Sequence, residues 1–176
     1  MRFPFDILDD YERRSLLHSM QLPEKPFSVD IWRGVGYRIG SRNLVSDFSE
    51  VVQIVPMPTV TLVPGAQPWL LGVGNLRGSL LPVIDLKQFL EGQRTVLREG
   101  QRVLIMRLGI DNAALVIDDL YGQRSFSLSN AIEIGDLAQG RYAHFIERVF
   151  LVDGQSWCVF SLSLLSRTPE FRQAAA

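Results

Sequence analysis

Two apolar runs, residues 70–73 and 80–84, stand on either side of Gly74-Asn75-Leu76-Arg77-Gly78, and no other feature constrains the fold as much. Runs of four or five apolar residues around a glycine-bounded break read as strand, tight turn, strand. Gly74 and Gly78 accept positive φ or close backbone approach, and asparagine is the next best tolerated residue at such a place. Arg77 therefore sits on the connection. Its guanidinium carries five donors in a rigid fork and stays charged, so it must find acceptors or face water. Two roles are open to it: pinning the turn through backbone carbonyls, or shaping a recognition surface.

The rest of the chain reads as two halves arranged about this stretch. Residues 1–30 carry Ile7, Leu8, Tyr11, Leu16, Leu17 and Met20 at spacings of three and four, which predicts a short amphipathic helix ended by Pro23 and Pro26. From Ile31 the period changes to two, with Val35, Tyr37 and Ile39 leading to turn residues at 40–43, a hairpin. Ser46 to Ile54 begins with capping residues and predicts one helical turn entering an extended segment. Pro56, Pro58, Pro64 and Pro68 then favour edge or loop conformations. Residues 91–101 form a polar, glycine-bounded linker, and a second, more apolar hairpin follows over 103–117, expected to be buried on both faces. After a polar interval anchored by Phe126, Leu128 and Ile132, a last hairpin turns at Asp153-Gly154. Residues 35–90 and 102–165 thus share one order of elements, hairpin, irregular interval, hairpin, short helical end. Short strands at regular turn spacing predict small β-barrels or a sandwich.

The chemistry-bearing residues are few. Near-balanced charge, 18 basic against 19 acidic residues, gives no general pull toward nucleic acid or anionic lipid. His18 and His144 stand alone, without a second ligand at metal spacing. A Cys158–His144 nucleophilic pair is disfavoured because Cys158, between Trp157 and Val159, has no cationic neighbour to lower its pKa. Gly72-Val73-Gly74 precedes a strand instead of a helix and lacks the third glycine of a dinucleotide loop. A single cysteine fits a reducing compartment, and no stretch has the length and apolarity of a membrane span or a signal sequence. The expectation is a cytoplasmic protein with no catalytic residues, no metal and no cofactor, whose work lies in its surfaces. Val51, Val52, Ile54 and Val55, beside the proline-rich edge, are candidates for such a surface, with half of them facing the core.

Leu71-Gly72-Val73-Gly74-Asn75-Leu76-Arg77-Gly78, followed by Leu81-Pro82-Val83-Ile84-Asp85-Leu86, resembles the signature of the CheW family, coupling proteins of bacterial chemosensory arrays. The resemblance covers residues 31 to about 165 and implies a non-catalytic adaptor. It implies an all-β fold: two five-stranded SH3-like barrels on a shared core, with short helices, a domain over 31–170, lobes at 35–90 and 102–165, a helical extension at 1–30 and a frayed tail at 171–176. It implies two partners: the cytoplasmic hairpin tip of a chemoreceptor, met by Gly72, Asn75, Leu76, Arg77 and Gly78, and the regulatory domain of a CheA-type histidine kinase, met by Val51, Gln53 and Ile54. Asp85 and Asp118 become structural carboxylates at strand ends. Two positions depart from the pattern: Gln53 stands where the family has glutamate in a Val-x-Glu-Ile context, and Ser161 where the closing strand commonly ends in aspartate. Length and N-terminal extension are most like the branch serving type IV pili and twitching motility, recruited to receptor arrays at the membrane without inserting into it. The alternatives are a flagellar chemotaxis coupling protein and an oligonucleotide-binding β-barrel, for which Arg38, Arg42 and Tyr37 are too few basic and aromatic residues.

Overall fold

The computed structural model describes residues 30–174. The first hairpin, β1 (Ile31–Ile39) and β2 (Arg42–Asp47), closes on Gly40-Ser41. Asp47 accepts a hydrogen bond from the Ser49 amide (2.8 Å) and so caps a 3-10 turn, Phe48–Glu50, before β3 (Val51–Pro56) and the two-residue β4 (Val60–Thr61). The central hairpin is β5 (Leu70–Leu76) and β6 (Ser79–Asp85), which runs into helix α1 (Leu86–Glu91). The second half repeats the order: β7 (Arg102–Leu108), β8 (Asp111–Val116), β9 (Asp119–Ser127), β10 (Ala131–Ile132), β11 (Ile146–Val152), β12 (Gln155–Phe160) and helix α2 (Leu162–Arg167), with helix α3 (Pro169–Ala174) after it.

The hairpins of the two halves correspond in register. The β5–β6 turn, Arg77-Gly78 (φ 52° and 86°), matches the β11–β12 turn, Asp153-Gly154 (φ 51° and 74°), and each hairpin carries its irregularity at the same place, at Leu70/Gly72 and at Ile146/Arg148. By the same registers Ile39 and Arg42 answer to Leu108 and Asp111, and Val51 and Gln53 to Leu120 and Gly122.

The two sheets nevertheless do not follow the two sequence halves. One has the order β10-β11-β12-β2-β1-β9 and the other β3-β7-β8-β6-β5-β4. Each half lends its first hairpin to the sheet of the other, which is why β2 runs parallel to β12 and β8 parallel to β6. The division at 35–90 and 102–165 describes the repeat but not the hydrogen bonding. Glu91 to Gln101 is likewise more than a linker, since Thr95 is buried and its amide and hydroxyl both donate to Asp85 (2.8 and 2.7 Å).

The expected pair of five-stranded barrels is not formed: among the described residues both sheets have six strands and remain open. Closure requires the two edge strands of a sheet to bond to one another. Here β4 and β10 are two residues long, too short for a seam, and neither pairs with the opposite edge, β3 or β9. The apolar residues are distributed accordingly. A large cluster lies between the sheets and takes Tyr37, Ile39 and Leu44 from one and Ile84, Leu104 and Leu115 from the other. Each sheet also keeps a smaller cluster on its second face, around Val83 and Ile105 or around Phe126 and Trp157. The β7–β8 hairpin lies between these layers, and residues 103–106 and 113–116 are buried on both faces. Phe171 is also buried and meets Phe89 edge-on (5.4 Å), so packing continues into the segment expected to fray. The amphipathic helix expected before Pro23 lies outside the described residues.

Candidate partner-binding site

The sequence break at 74–78 narrows in the structure to two residues. Gly74, Asn75 and Leu76 continue β5, and only Arg77 and Gly78 turn, both with positive φ as a type I′ turn demands. Asn75 pins the turn, its side-chain oxygen accepting from the Gly78 amide (2.9 Å). Among the described residues Arg77 makes no hydrogen bond, and its side chain is exposed at the hairpin tip. Gly72 and Gly74 are buried for another reason, close approach of β4 and of the segment leading into it: a Cβ at Gly72 (φ 149°) would lie 2.1 Å from the Thr61 carbonyl oxygen, and one at Gly74 2.7 Å from Pro58.

Beside this hairpin opens an apolar groove of about 540 Å³, lined by Val63, Leu70, Val73, Leu80, Pro82 and Leu108. Strand alternation explains it. Leu80, Pro82 and Ile84 share one face of β6; Ile84 lies in the inter-sheet cluster, and Leu80, four residues outward, extends past it and is 74% exposed. Leu62 (79%) and the turn residue Ile110 (fully exposed) belong to segments bordering the groove. Asp111, Asn112 and Arg172 complete the lining with polar groups. None of Gly72, Asn75, Leu76, Arg77 and Gly78 lines the groove; Val73 and Leu80 flank them and do. Leu80, Leu108 and Asp111 escaped sequence reading because apolar residues in a strand carry no mark of where the core beneath them stops.

The other sequence-selected group lies on β3, an edge strand that among the described residues pairs with β7 alone. Val51 packs against the inter-sheet cluster, Gln53 and Ile54 are half-buried, Val52 is exposed and Val55 is buried. Strands β7, β8 and β6 separate β3 from β5, so the two groups sit about 19 Å apart at the usual strand spacing. The structure does not bring them together.

Ser161 and Glu50 share one task. The Ser161 hydroxyl accepts from the Leu164 amide (3.2 Å) at the start of α2, and the Glu50 carboxylate accepts from the Leu162 and Ser163 amides (3.1 and 3.0 Å). In the first half Asp85 alone caps α1 through the Gln88 amide (3.1 Å). Asp118 accepts from the Gly40 amide (2.5 Å), the structural role expected of it.

Catalytic chemistry finds no support. Burial pushes the Cys158 thiol pKa up, which disfavours the thiolate, and no hydrogen bond joins it to the exposed His144. Among the described residues no group of His, Cys, Asp or Glu could hold a metal ion, and no helix is long and apolar enough to cross a membrane. The residues weighed for nucleic-acid contact are committed internally. Tyr37 is buried against Ser46 (2.8 Å), Arg38 pairs with Asp119, and Arg42 donates to the Leu137 carbonyl while lying over the Tyr142 ring (4.6 Å).

Among the described residues the protein has an all-β body with helical closures, an open apolar groove and a free strand edge, surfaces suited to the contacts of an adaptor domain. The chain belongs to the CheW-like domain family, whose sequence profile matches residues 33–170, and it is a non-catalytic adaptor. Protein PilI of Pseudomonas aeruginosa is 33% identical over 172 residues, covering 98% of this chain and 96% of that protein. Chemotaxis protein CheW of Rhizobium meliloti is 23% identical over 141 residues, 80% of this chain and 90% of that one. In fold the chain is similar to the crystal structure of scaffolding protein TtCheW from Thermoanaerobacter tengcongensis, with a TM-score of 0.66, 19% identity, and coverage of 78% of this chain and 94% of that one.

Proposed function

We propose that this adaptor couples a chemoreceptor to a CheA-type histidine kinase in the chemosensory system that controls type IV pili. The receptor's cytoplasmic hairpin tip enters the apolar groove and meets the flanking turn, with Gly72, Asn75, Leu76, Arg77 and Gly78 shaping that side. The kinase regulatory domain adds to the free edge of β3 through Val51, Gln53 and Ile54. The work is done in the cytoplasm at receptor arrays. Similarity to PilI over nearly the whole of both chains supports the pilus assignment. The reading rests chiefly on two surfaces of one sheet that share no residue and have no partner among the described residues, the apolar groove across β5, β6 and the β7–β8 turn and the outer edge of β3, where two partners can bind together.

Purified protein is expected to bind the regulatory domain of its cognate kinase with a Kd of about 1 μM or lower, within the range of specific adaptor contacts. Leu80→Asp should abolish capture of a soluble receptor cytoplasmic fragment and leave kinase binding intact; Ile54→Asp should do the reverse. Loss of both partners in either variant, with an unchanged melting temperature, would show that the two surfaces are not separate and sink the assignment.

A further inference from the structure

The open groove has a closed counterpart in the same molecule. By the repeat correspondence Leu70, Val73, Pro82 and Leu108 answer to Ile146, Val149, Cys158 and Ile39. The first four are half-buried; the second four are buried. The difference lies in one connection. Residues 62–69 join β4 to β5, whereas the longer stretch 133–145 joins β10 to β11 and folds back as a cover. Ile134, Leu137 and Ala138, spaced like one face of a helical turn, pack against the inter-sheet cluster, and Tyr142 is buried in it. At the corner of this closed groove Arg42 holds the cover by donating to the Leu137 carbonyl.

The residue that answers to Arg42 in the open groove is Asp111, exposed and, among the described residues, without an ion-pair partner. A carboxylate at this corner cannot accept from a carbonyl; it requires a donor. We propose that Asp111 is a specificity-determining residue: the groove receives a helical segment with apolar side chains at i, i+3 and i+4, and Asp111 selects one that sets a lysine or arginine against it. The polarity is the reverse of the one the chain uses at Arg42. Arg172, the other charged residue of the lining, leaves the groove of mixed sign, so local pairing and not overall charge makes the choice.

This inference rests on the groove being the receptor-side surface, and one experiment separates the two. Affinity is measured between the full chain and the soluble cytoplasmic hairpin fragment of its cognate chemoreceptor. The wild type, Asp111→Asn and Asp111→Arg are each titrated with the native fragment and with fragments in which each tip lysine or arginine is changed singly to glutamate. Asp111→Arg copies the residue found at the same hairpin position in the other half, so its melting temperature should not change. It should bind the native fragment about tenfold more weakly, Asp111→Asn should lie between it and wild type, and one glutamate substitution should restore Asp111→Arg while weakening the wild type. Asp111→Arg binding as well as wild type, or better, or a loss that no tip substitution repairs, overturns the role of Asp111 and leaves the receptor surface standing. A wild-type protein that binds kinase but not the receptor fragment takes both down.

Discussion

Arg77 holds a left-handed backbone conformation, costly for a residue with a Cβ by about 1–2 kcal/mol, at a turn position where asparagine or glycine is preferred. Since its guanidinium bonds to nothing in the turn, Arg77→Asn should raise stability by about 0.5 kcal/mol in urea unfolding and weaken receptor-fragment binding about tenfold. A loss of stability would return Arg77 to a structural role. Gly72 presents the opposite case. A methyl group there meets the Thr61 carbonyl, and Gly72→Ala should cost about 2–4 kcal/mol, read as a lower urea midpoint. These two residues also mark what the sequence disclosed. The glycine-bounded break marks a hairpin but not its width, because Gly72 is small for the sake of β4 and Gly74 for Pro58 just before it, contacts between distant residues that local pattern does not contain.

Among the elements, the helix starts after β6 and β12 solve one problem in two ways. Asp85 brings its own carboxylate to α1, while α2 has Ser161 and borrows the carboxylate of Glu50 from the end of the 3-10 turn. Glu50→Gln should destabilise by about 1–2 kcal/mol, the range for weakening a charged helix cap. Ser161→Asp should restore most of that loss, yet destabilise the wild type by placing two carboxylates at one helix start. A double-mutant cycle in urea measures this, and additive effects would refute the shared cap. The departure at Ser161 was visible in the sequence; its compensation by Glu50, more than a hundred positions away, was not. The positions of hairpins and capping residues are local and legible in the sequence, whereas turn widths, the strand β9, sheet membership and closure depend on distant pairings and on which hairpin crosses over.

At the scale of the whole molecule, the exchange of first hairpins predicts that neither half folds alone. Chains ending at Gly92 and beginning at Gln93 should each lack cooperative unfolding, and mixing them should restore it, as followed by circular dichroism. Independent folding of either half would contradict the sheet order. The stability curve should also have a marked alkaline limb. Burial raises the pKa of Tyr37, and burial together with the hydrogen bond to Glu91 raises that of Tyr142. The unfolded chain therefore loses these protons first. The stability they confer is complete below about pH 10, the ordinary tyrosine value, and declines as pH rises toward the folded values. Urea midpoints at pH 8 and pH 11 should differ less in Tyr142→Phe than in wild type.

Because each repeat is completed only by a piece of the other, a gene break between them would yield two unusable products. Descendants of such a chain can diversify by altering residues and loop lengths, as the unequal β4–β5 and β10–β11 connections illustrate, but not by trading one repeat for a foreign one. The pair is inherited whole.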